Sequence, residues 1–185
     1  MKRKIVCALL SIISFSALAQ KQSYHIGQRA QGGIIYYLYE TGDGIQHGLV
    51  LSVIHLAVDV AWGQKGLNVE ECESNWNGQA NTAAILKADS TEYIAARLCA
   101  NYSYDGYSDW YLPALHELSA IKQSSYLVDR ALTQLVDAEP MVLDLYWTST
   151  QSNEMAAWFY DFKDDKPSNY YDKTSKFLVR AIRAF

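Results

Sequence analysis

Two blocks of strand-like sequence flank a helical middle. Near the start of the chain, a β-branched and aromatic run from Ile34 to Tyr39 precedes the turn residues TGDG and a second apolar run, HGLVLSVI. This order predicts a β-hairpin. The last third carries three more strand-like runs, YWTST, AAWFYDF and KFLVRAIRAF, separated by polar loops. Because the final run reaches the C-terminus, we expect it to be held in a sheet.

The middle of the chain shows helical spacing. Apolar residues recur every three or four positions in TAAILKADSTEYIAARLCANY, with Asn81 as the predicted N-cap and Asp89 as a residue that would divide the segment. Pro113 suits the first turn of the next helix, and a further helix is predicted over DRALTQLVDA. Residues 62–79 are polar without a period, which predicts a long ordered loop. Together the elements predict one α+β domain with antiparallel strands and two or more helices.

The first nineteen residues have the features of a secretory signal peptide. A basic start, MKRK, precedes an apolar run that is too short to span a bilayer comfortably, and Ala17 and Ala19 fit a cleavage site. We therefore predict a cleaved leader over residues 1–19 and a single domain over residues 20–185. Export would place the protein in the periplasm, on the cell surface or in the medium.

Loss of the leader changes the charge balance. Three basic residues leave with it, so 13 Lys and Arg remain against 20 Asp and Glu, a net charge of −7. An acidic exported chain is a poor candidate for non-specific binding to nucleic acids or anionic membranes. We predict no nucleic-acid partner and no transmembrane segment.

Two cysteines remain after cleavage of the leader, Cys72 and Cys99. An even number of cysteines in an exported protein favours a disulfide. Such a bridge would stabilise the fold by about 3 kcal/mol in the chain-entropy description. The alternative is two unrelated buried thiols.

The stretch GYSDWYLPALHEL contains groups that could form an active site, namely Asp109, His116 and Glu117. No nucleophile motif, HExxH zinc motif or phosphate-binding glycine loop accompanies them. Cys99 falls on an apolar helical face, where a thiol is not activated. We expect His116 and Glu117 on the solvent side of a helix, although an early Glu117 also suits the positive helix end. The chain is predicted not to be an enzyme.

Acidic residues between Asp161 and Asp165, together with Asp172, carry carboxylate oxygens of the kind that bind a calcium ion. The spacing does not match an EF-hand loop. We expect a solvated hairpin loop and no cofactor, with a single structural calcium left open because loop oxygens from separate segments can converge.

The segment SNYYDKTSK is the most binding-like part of the sequence. Adjacent tyrosines beside lysine and asparagine offer stacking faces and hydrogen bonds, and loops on a rigid sheet are common recognition sites. The alternative is an ordinary polar hairpin loop. We predict ligand contacts from loops 151–154 and 163–175. The candidate ligand-binding residues are Lys166, Asn169, Tyr170, Tyr171 and Lys173.

Three motifs in order, DWYLP…EL, YWTST and VRAIRAF, resemble the C-terminal domain family of the Legionella collagen-like adhesin. The resemblance extends from about Gln28 to Phe185. It implies a C-type-lectin-like fold related to the scaffold of the formylglycine-generating enzyme, and an adhesive role, since the namesake adheres to sulfated glycans. The motif residues that match scaffold positions of the family are Asp109, Trp110, Pro113, Trp147, Arg180 and Arg183.

The chain also departs from that adhesin. It has no Gly-X-Y repeats, its acidic mature charge disfavours sulfated glycans, and it lacks the EPN, QPD and WND triplets of calcium-dependent lectins. We therefore predict an exported, non-enzymatic binding or adhesion module that recognises a glycan or a protein surface. The alternatives are a structural envelope protein and an enzyme on a formylglycine-generating type of scaffold.

Overall fold

The computed structural model describes residues 23–185, so the predicted leader over residues 1–19 lies outside the described residues. In this part of the chain, no helix is long and apolar enough to cross a membrane. Strands come first, helices occupy the middle and strands return at the end. In chain order the elements are β1 (Arg29–Ala30), β2 (Gly33–Glu40), β3 (Gln46–Leu51), β4 (Ala57–Ala61), α1 (Gly78–Ala88), α2 (Ala95–Asn101), α3 (Leu115–Gln123), α4 (Ser125–Thr133), β5 (Leu145–Gln151), β6 (Ala157–Asp161), β7 (Lys166–Ser168), β8 (Lys176–Val179) and β9 (Ile182–Ala184).

The strands form two sheets, which confirms the α+β class. One sheet has the order β1-β2-β3-β9 and the other β4-β8-β5-β6-β7. The predicted hairpin is β2 with β3, and the C-terminal strand β9 pairs with β3. All strand pairs are antiparallel except β5 with β8, which are parallel. The chain therefore returns to the first sheet only at its end, so both ends of the described domain lie in the same sheet.

Two buried tryptophans tie the second sheet together. Trp62 follows β4 and donates from Nε1 to the carbonyl oxygen of Thr148 at 2.8 Å. Trp147 lies in β5 and donates from Nε1 to the carbonyl oxygen of Val60 at 2.9 Å. A buried indole N–H needs an acceptor, and these two bonds connect β4 to β5 across the intervening strand β8.

The segment before α3 is fixed to the last strand. Arg183 donates from Nε and Nη2 to the two carboxylate oxygens of Asp109, at 2.6 and 2.9 Å. Tyr111 and Ile182 exchange backbone hydrogen bonds of 2.8 and 3.0 Å, and the Trp110 ring is buried beside them. The guanidinium lowers the pKa of the Asp109 carboxyl. These motif residues therefore position α3 on the sheets.

Arg180 and Pro113 connect further segments to this framework. The buried Arg180 guanidinium donates to the carbonyl oxygen of Ser52 at 2.7 Å and to that of Glu139. The carbonyl oxygen of Pro113 accepts from the backbone N–H of Ser149 at 2.7 Å. The loop before β5 and the start of α3 are thereby held against the strands.

The helices differ from the prediction in their bounds. Asn77, not Asn81, caps α1, because its Oδ1 accepts from the backbone N–H of Ala80 at 3.0 Å. Asn81 is buried and donates to the carbonyl oxygen of Ser74 at 2.7 Å. The predicted break is confirmed, since Asp89 ends α1. The helix α4 starts before the predicted DRALTQLVDA and ends within it.

The predicted disulfide is wrong, because Cys72 and Cys99 are both free and buried. Cys72 donates from Sγ to the carbonyl oxygen of Ser149 at 3.1 Å, which directs it toward β5. Cys99 lies on the core face of α2. Burial raises the pKa of Cys72 to about 12 and raises that of Cys99 as well, so neither thiol is poised as a nucleophile.

Candidate functional site

The predicted binding segment 163–175 includes β7, and its polar residues are hydrogen-bonded to neighbours. Lys166 is exposed and pairs with Asp164, with Nζ 2.9 Å from Oδ2. Asn169 donates from Nδ2 to the hydroxyl of Ser152 at 2.9 Å. Loops 151–154 and 163–175, predicted to act together, are therefore adjacent in the structure.

Tyr170 and Tyr171 cover the edge of an aromatic core. Their ring centroids lie 4.5 Å apart, and both rings contact Phe159, at 5.3 and 5.6 Å. Tyr171 also contacts Phe177 at 5.4 Å. The side chains are 66% and 42% exposed. Both rings therefore serve packing, and their outer faces remain open to solvent.

Lys173 was predicted to contact a ligand, and this is wrong. Its side chain is fully buried, with Nζ 2.7 Å from both the carbonyl oxygen of Leu67 and the Oε1 of Gln151. The ammonium lies 4.5 Å from the ring centroid of Trp62. Desolvation lowers the pKa of Lys173 to about 8. The residue connects loop 62–79 to the second sheet.

A cavity on the described domain lies elsewhere, between β2, β3, α3 and the loop before α1. We call it the aromatic cleft, and its volume is about 510 Å³, within the range of small-ligand sites. Its lining residues are Tyr37, Tyr39, Leu49, Trp76, Asn77, Gln79, Tyr111, His116, Glu117, Ser119, Ala120, Gln123 and Ala184.

Aromatic rings with open faces line the cleft. Trp76 is 74% exposed and stacks on the ring of His116, with centroids 4.2 Å apart. Tyr37 and Tyr39 of β2 also line the cleft; both are exposed, and their centroids lie 6.2 Å apart. Tyr39 is supported by stacking on His47 at 5.4 Å. Large rings held in place by neighbours provide contact area at low entropic cost.

Glu117 lines the cleft and is half-buried, whereas we expected it on the solvent side of the helix. Its carboxylate accepts from the backbone N–H of Gly78 at 3.0 Å, from that of Ala114 at 2.8 Å and from the hydroxyl of Tyr111 at 3.1 Å. Desolvation raises the pKa of Glu117, against the effect of these donors. One carboxylate thereby satisfies donors at the starts of both α1 and α3, a favourable position for negative charge.

Gly78 makes this contact geometry possible. A Cβ atom at position 78 would lie 2.4 Å from Oε2 of Glu117 and 2.5 Å from the backbone nitrogen of Ala114. Both distances are far below van der Waals contact. Only glycine allows α1 to begin so close to α3, and this close approach places Trp76 beside His116.

The polar groups of the cleft are mostly uncharged. Glu117 is the one acidic residue in the lining, and no Lys or Arg lines the cleft. The hydroxyl of Ser119 donates to the backbone carbonyl oxygen of His116 at 3.1 Å. Within residues 23–185, no three His, Cys, Asp or Glu side chains form a group that could hold a metal ion.

Sequence reasoning missed this cleft because three distant segments build it. Tyr37 and Tyr39 lie in a strand whose regular alternation is interrupted by a register shift between Ile35 and Tyr37. Trp76 lies in a loop with no periodic pattern. The one available signal was His116 in the motif segment, which was interpreted as an isolated surface residue.

The fold and the cleft define an α+β domain with an open, aromatic-lined surface site. The chain belongs to the Lcl C-terminal domain family, whose family model matches residues 52–183. Tyr37 and Tyr39 precede the matched segment, whereas Trp76, His116 and Glu117 lie within it. None of the curated proteins compared with the chain matches it.

A solved structure shows that the architecture occurs elsewhere. The chain is similar to a fimbrial protein from Bacteroides ovatus ATCC 8483, with a TM-score of 0.63 and 16% sequence identity. The match covers 81% of this chain and 43% of that protein. The chain thus spans less than half the length of its structural neighbour, and the likeness concerns the fold alone.

Proposed function

We propose that the chain is an exported, non-enzymatic adhesion module that attaches to a glycan or protein surface through the aromatic cleft. The observation that carries this proposal is the set of open rings, Trp76, Tyr37 and Tyr39, around a cavity of about 510 Å³. Membership of the Lcl C-terminal domain family and likeness to a fimbrial protein support a surface role. The C-type-lectin-like scaffold and the cleaved leader are parts of the same proposal.

The surroundings of the cysteine, histidine and glutamate side chains support a binding role without catalysis. Cys72 and Cys99 are buried with raised thiol pKa values. His116 stacks on Trp76, and the carboxylate of Glu117 is occupied by three donors. General-base catalysis requires a base within hydrogen-bond reach of a nucleophile. His116 and Glu117 are instead engaged in packing and hydrogen bonding.

The proposed attachment needs no cofactor. In the acidic loop 161–165, Asp161 Oδ1 accepts from the backbone N–H of Lys163, and Asp165 accepts from the hydroxyl of Tyr160. These carboxylates accept hydrogen bonds from residues nearby in the chain, and within the described residues they do not form a cation-binding group. We expect EDTA to leave ligand binding unchanged, whereas binding that returns only on addition of calcium would contradict this part of the proposal.

The proposal can be tested on an array that carries glycans and extracellular matrix proteins. The mature protein should bind at least one class of these surfaces, and Trp76→Ala should reduce the signal at least tenfold. Trp76 is mostly exposed, so its loss should change the free energy of unfolding by less than about 1 kcal/mol. Circular dichroism and thermal denaturation check that the variant is folded.

Tyr126→Ala is the matched control. Tyr126 lies in α4, is 74% exposed like Trp76 and does not line the cleft. This variant should bind as the wild type does. Equal binding by Trp76→Ala and the wild type would contradict the cleft as the attachment site, and absence of any binding by the folded protein would contradict an adhesive role.

A further inference from the structure

A second cavity adjoins the aromatic cleft. We call it the side pocket; its volume is about 390 Å³, and its lining residues are Ser119, Lys122, Gln123, Tyr160 and Asp165. Ser119 and Gln123 line both cavities. They lie four residues apart in α3, so their side chains share one face of that helix. The cleft and the side pocket therefore lie next to each other along α3, and we treat the two together as one groove.

The groove is longer than a single sugar. From His116 to Gln123, both of which line the cleft, α3 rises about 10 Å at ~1.5 Å per residue, and the side pocket adds Lys122, Tyr160 and Asp165 to the lining. A hexose ring is shorter than this distance, so one ring cannot fill the cleft and the side pocket together. A site of this form is suited to a chain of several linked units.

The charged residues that line the two cavities favour a ligand without net charge. No Lys or Arg lines the cleft, and its one acidic group, Glu117, would repel sulfate or carboxylate. In the side pocket Lys122 and Asp165 balance each other, and Lys122 Nζ already donates to the carbonyl oxygen of Phe162 at 3.1 Å. Desolvating an anion against such a surface is unfavourable.

The neutral groups match the two surfaces of a pyranose. The flat C–H face of a sugar ring packs on open aromatic rings, which Trp76, Tyr37 and Tyr39 provide. The hydroxyls at its rim need donors and acceptors, and the amides of Asn77, Gln79 and Gln123 line the groove. An apolar peptide segment would instead need a deep aliphatic pocket. The cleft holds only Leu49, Ala120 and Ala184 of that kind.

We propose, building on the proposed function, that the ligand is an uncharged oligosaccharide chain that lies across α3 from the aromatic cleft into the side pocket. The cleft binds the first sugar units by ring stacking, and the side pocket binds the following units by hydrogen bonds. Affinity should therefore depend on chain length.

The test is a titration of the mature protein with neutral oligosaccharides built from glucose, N-acetylglucosamine, galactose or mannose, each from one to six units. Heparin fragments of matching lengths serve as the charged comparison. We expect at least one neutral series to bind, with affinity rising tenfold or more between the disaccharide and the hexasaccharide. Heparin fragments should bind more weakly than neutral chains of equal length.

The double variant Lys122→Ala/Asp165→Asn alters the side pocket alone. Asp165 has a positive φ of 55°, which asparagine tolerates. This variant should bind the disaccharide as the wild type does and lose most of the gain for the hexasaccharide. Flat length dependence, an unchanged hexasaccharide affinity in the double variant, or stronger binding of heparin would each overturn the inference. Binding to matrix proteins alone, still abolished by Trp76→Ala, would overturn it while leaving the proposed function intact.

Discussion

Replacing Lys173 with alanine should lower the free energy of unfolding by about 3 kcal/mol. The substitution leaves a cavity beside Trp62 and removes the donor to the carbonyl oxygen of Leu67 and to Gln151. Chemical denaturation at pH 7 measures the effect. A loss below about 0.5 kcal/mol would mean that Lys173 is an ordinary surface lysine.

Lys173→Met is the matched control, because methionine fills the space without the charge. It should cost less, about 1–2 kcal/mol. The lowered pKa of Lys173, about 8 in the folded protein, also predicts a pH dependence. Below pH 8 the residue is charged in both the folded and the unfolded chain, and its burial penalty is complete. Between pH 8 and about 10.5 the folded protein loses the proton first, so wild-type stability should rise relative to Lys173→Met.

Replacing Glu117 with alanine should cost about 3 kcal/mol or more and abolish ligand binding. The loss leaves the backbone N–H groups of Gly78 and Ala114 and the hydroxyl of Tyr111 without their acceptor, and each unsatisfied buried donor costs about 1–3 kcal/mol. The starts of α1 and α3 would then separate, and with them Trp76 and His116. Denaturation curves and ligand titration measure the two effects.

Glu117→Gln separates a structural role of the carboxylate from direct contact of its charge with the ligand. The glutamine oxygen can accept from Gly78 and Ala114, and its amide can donate to the oxygen of Tyr111. This variant should cost about 1 kcal/mol or less and keep ligand binding. A fully folded Glu117→Gln protein that cannot bind would show that the negative charge itself contacts the ligand.

The sequence could predict features that arise from short-range patterns. The hairpin of β2 and β3 follows from a β-branched run, a turn and a second apolar run, and the C-terminal strand was recognisable for the same reason. The break at Asp89 follows from residues that favour turns over helix. These features depend on neighbours in the chain, which a sequence shows directly.

The errors concern contacts between distant residues. Lys173 lies in a polar loop, and its burial depends on Leu67 and Gln151. The even cysteine count could not show that Cys72 faces β5 while Cys99 faces the α2 side of the core. The position of Glu117 was predicted in part. Its place at the start of a helix was correct, but its hydrogen bond from the backbone N–H at the start of α1 could not be seen in the sequence.

One comparison separates the aromatic cleft from the C-terminal loop as the ligand-binding site. Trp76→Ala and Tyr170→Ala each remove one exposed aromatic side chain, and each variant is titrated with the best-bound ligand from the array. We predict that Trp76→Ala weakens binding by about 2 kcal/mol, roughly 30-fold, and that Tyr170→Ala changes it less than twofold. A large loss of ligand affinity in Tyr170→Ala, with unchanged affinity in Trp76→Ala, would contradict the cleft as the binding site and place the site in loop 163–175.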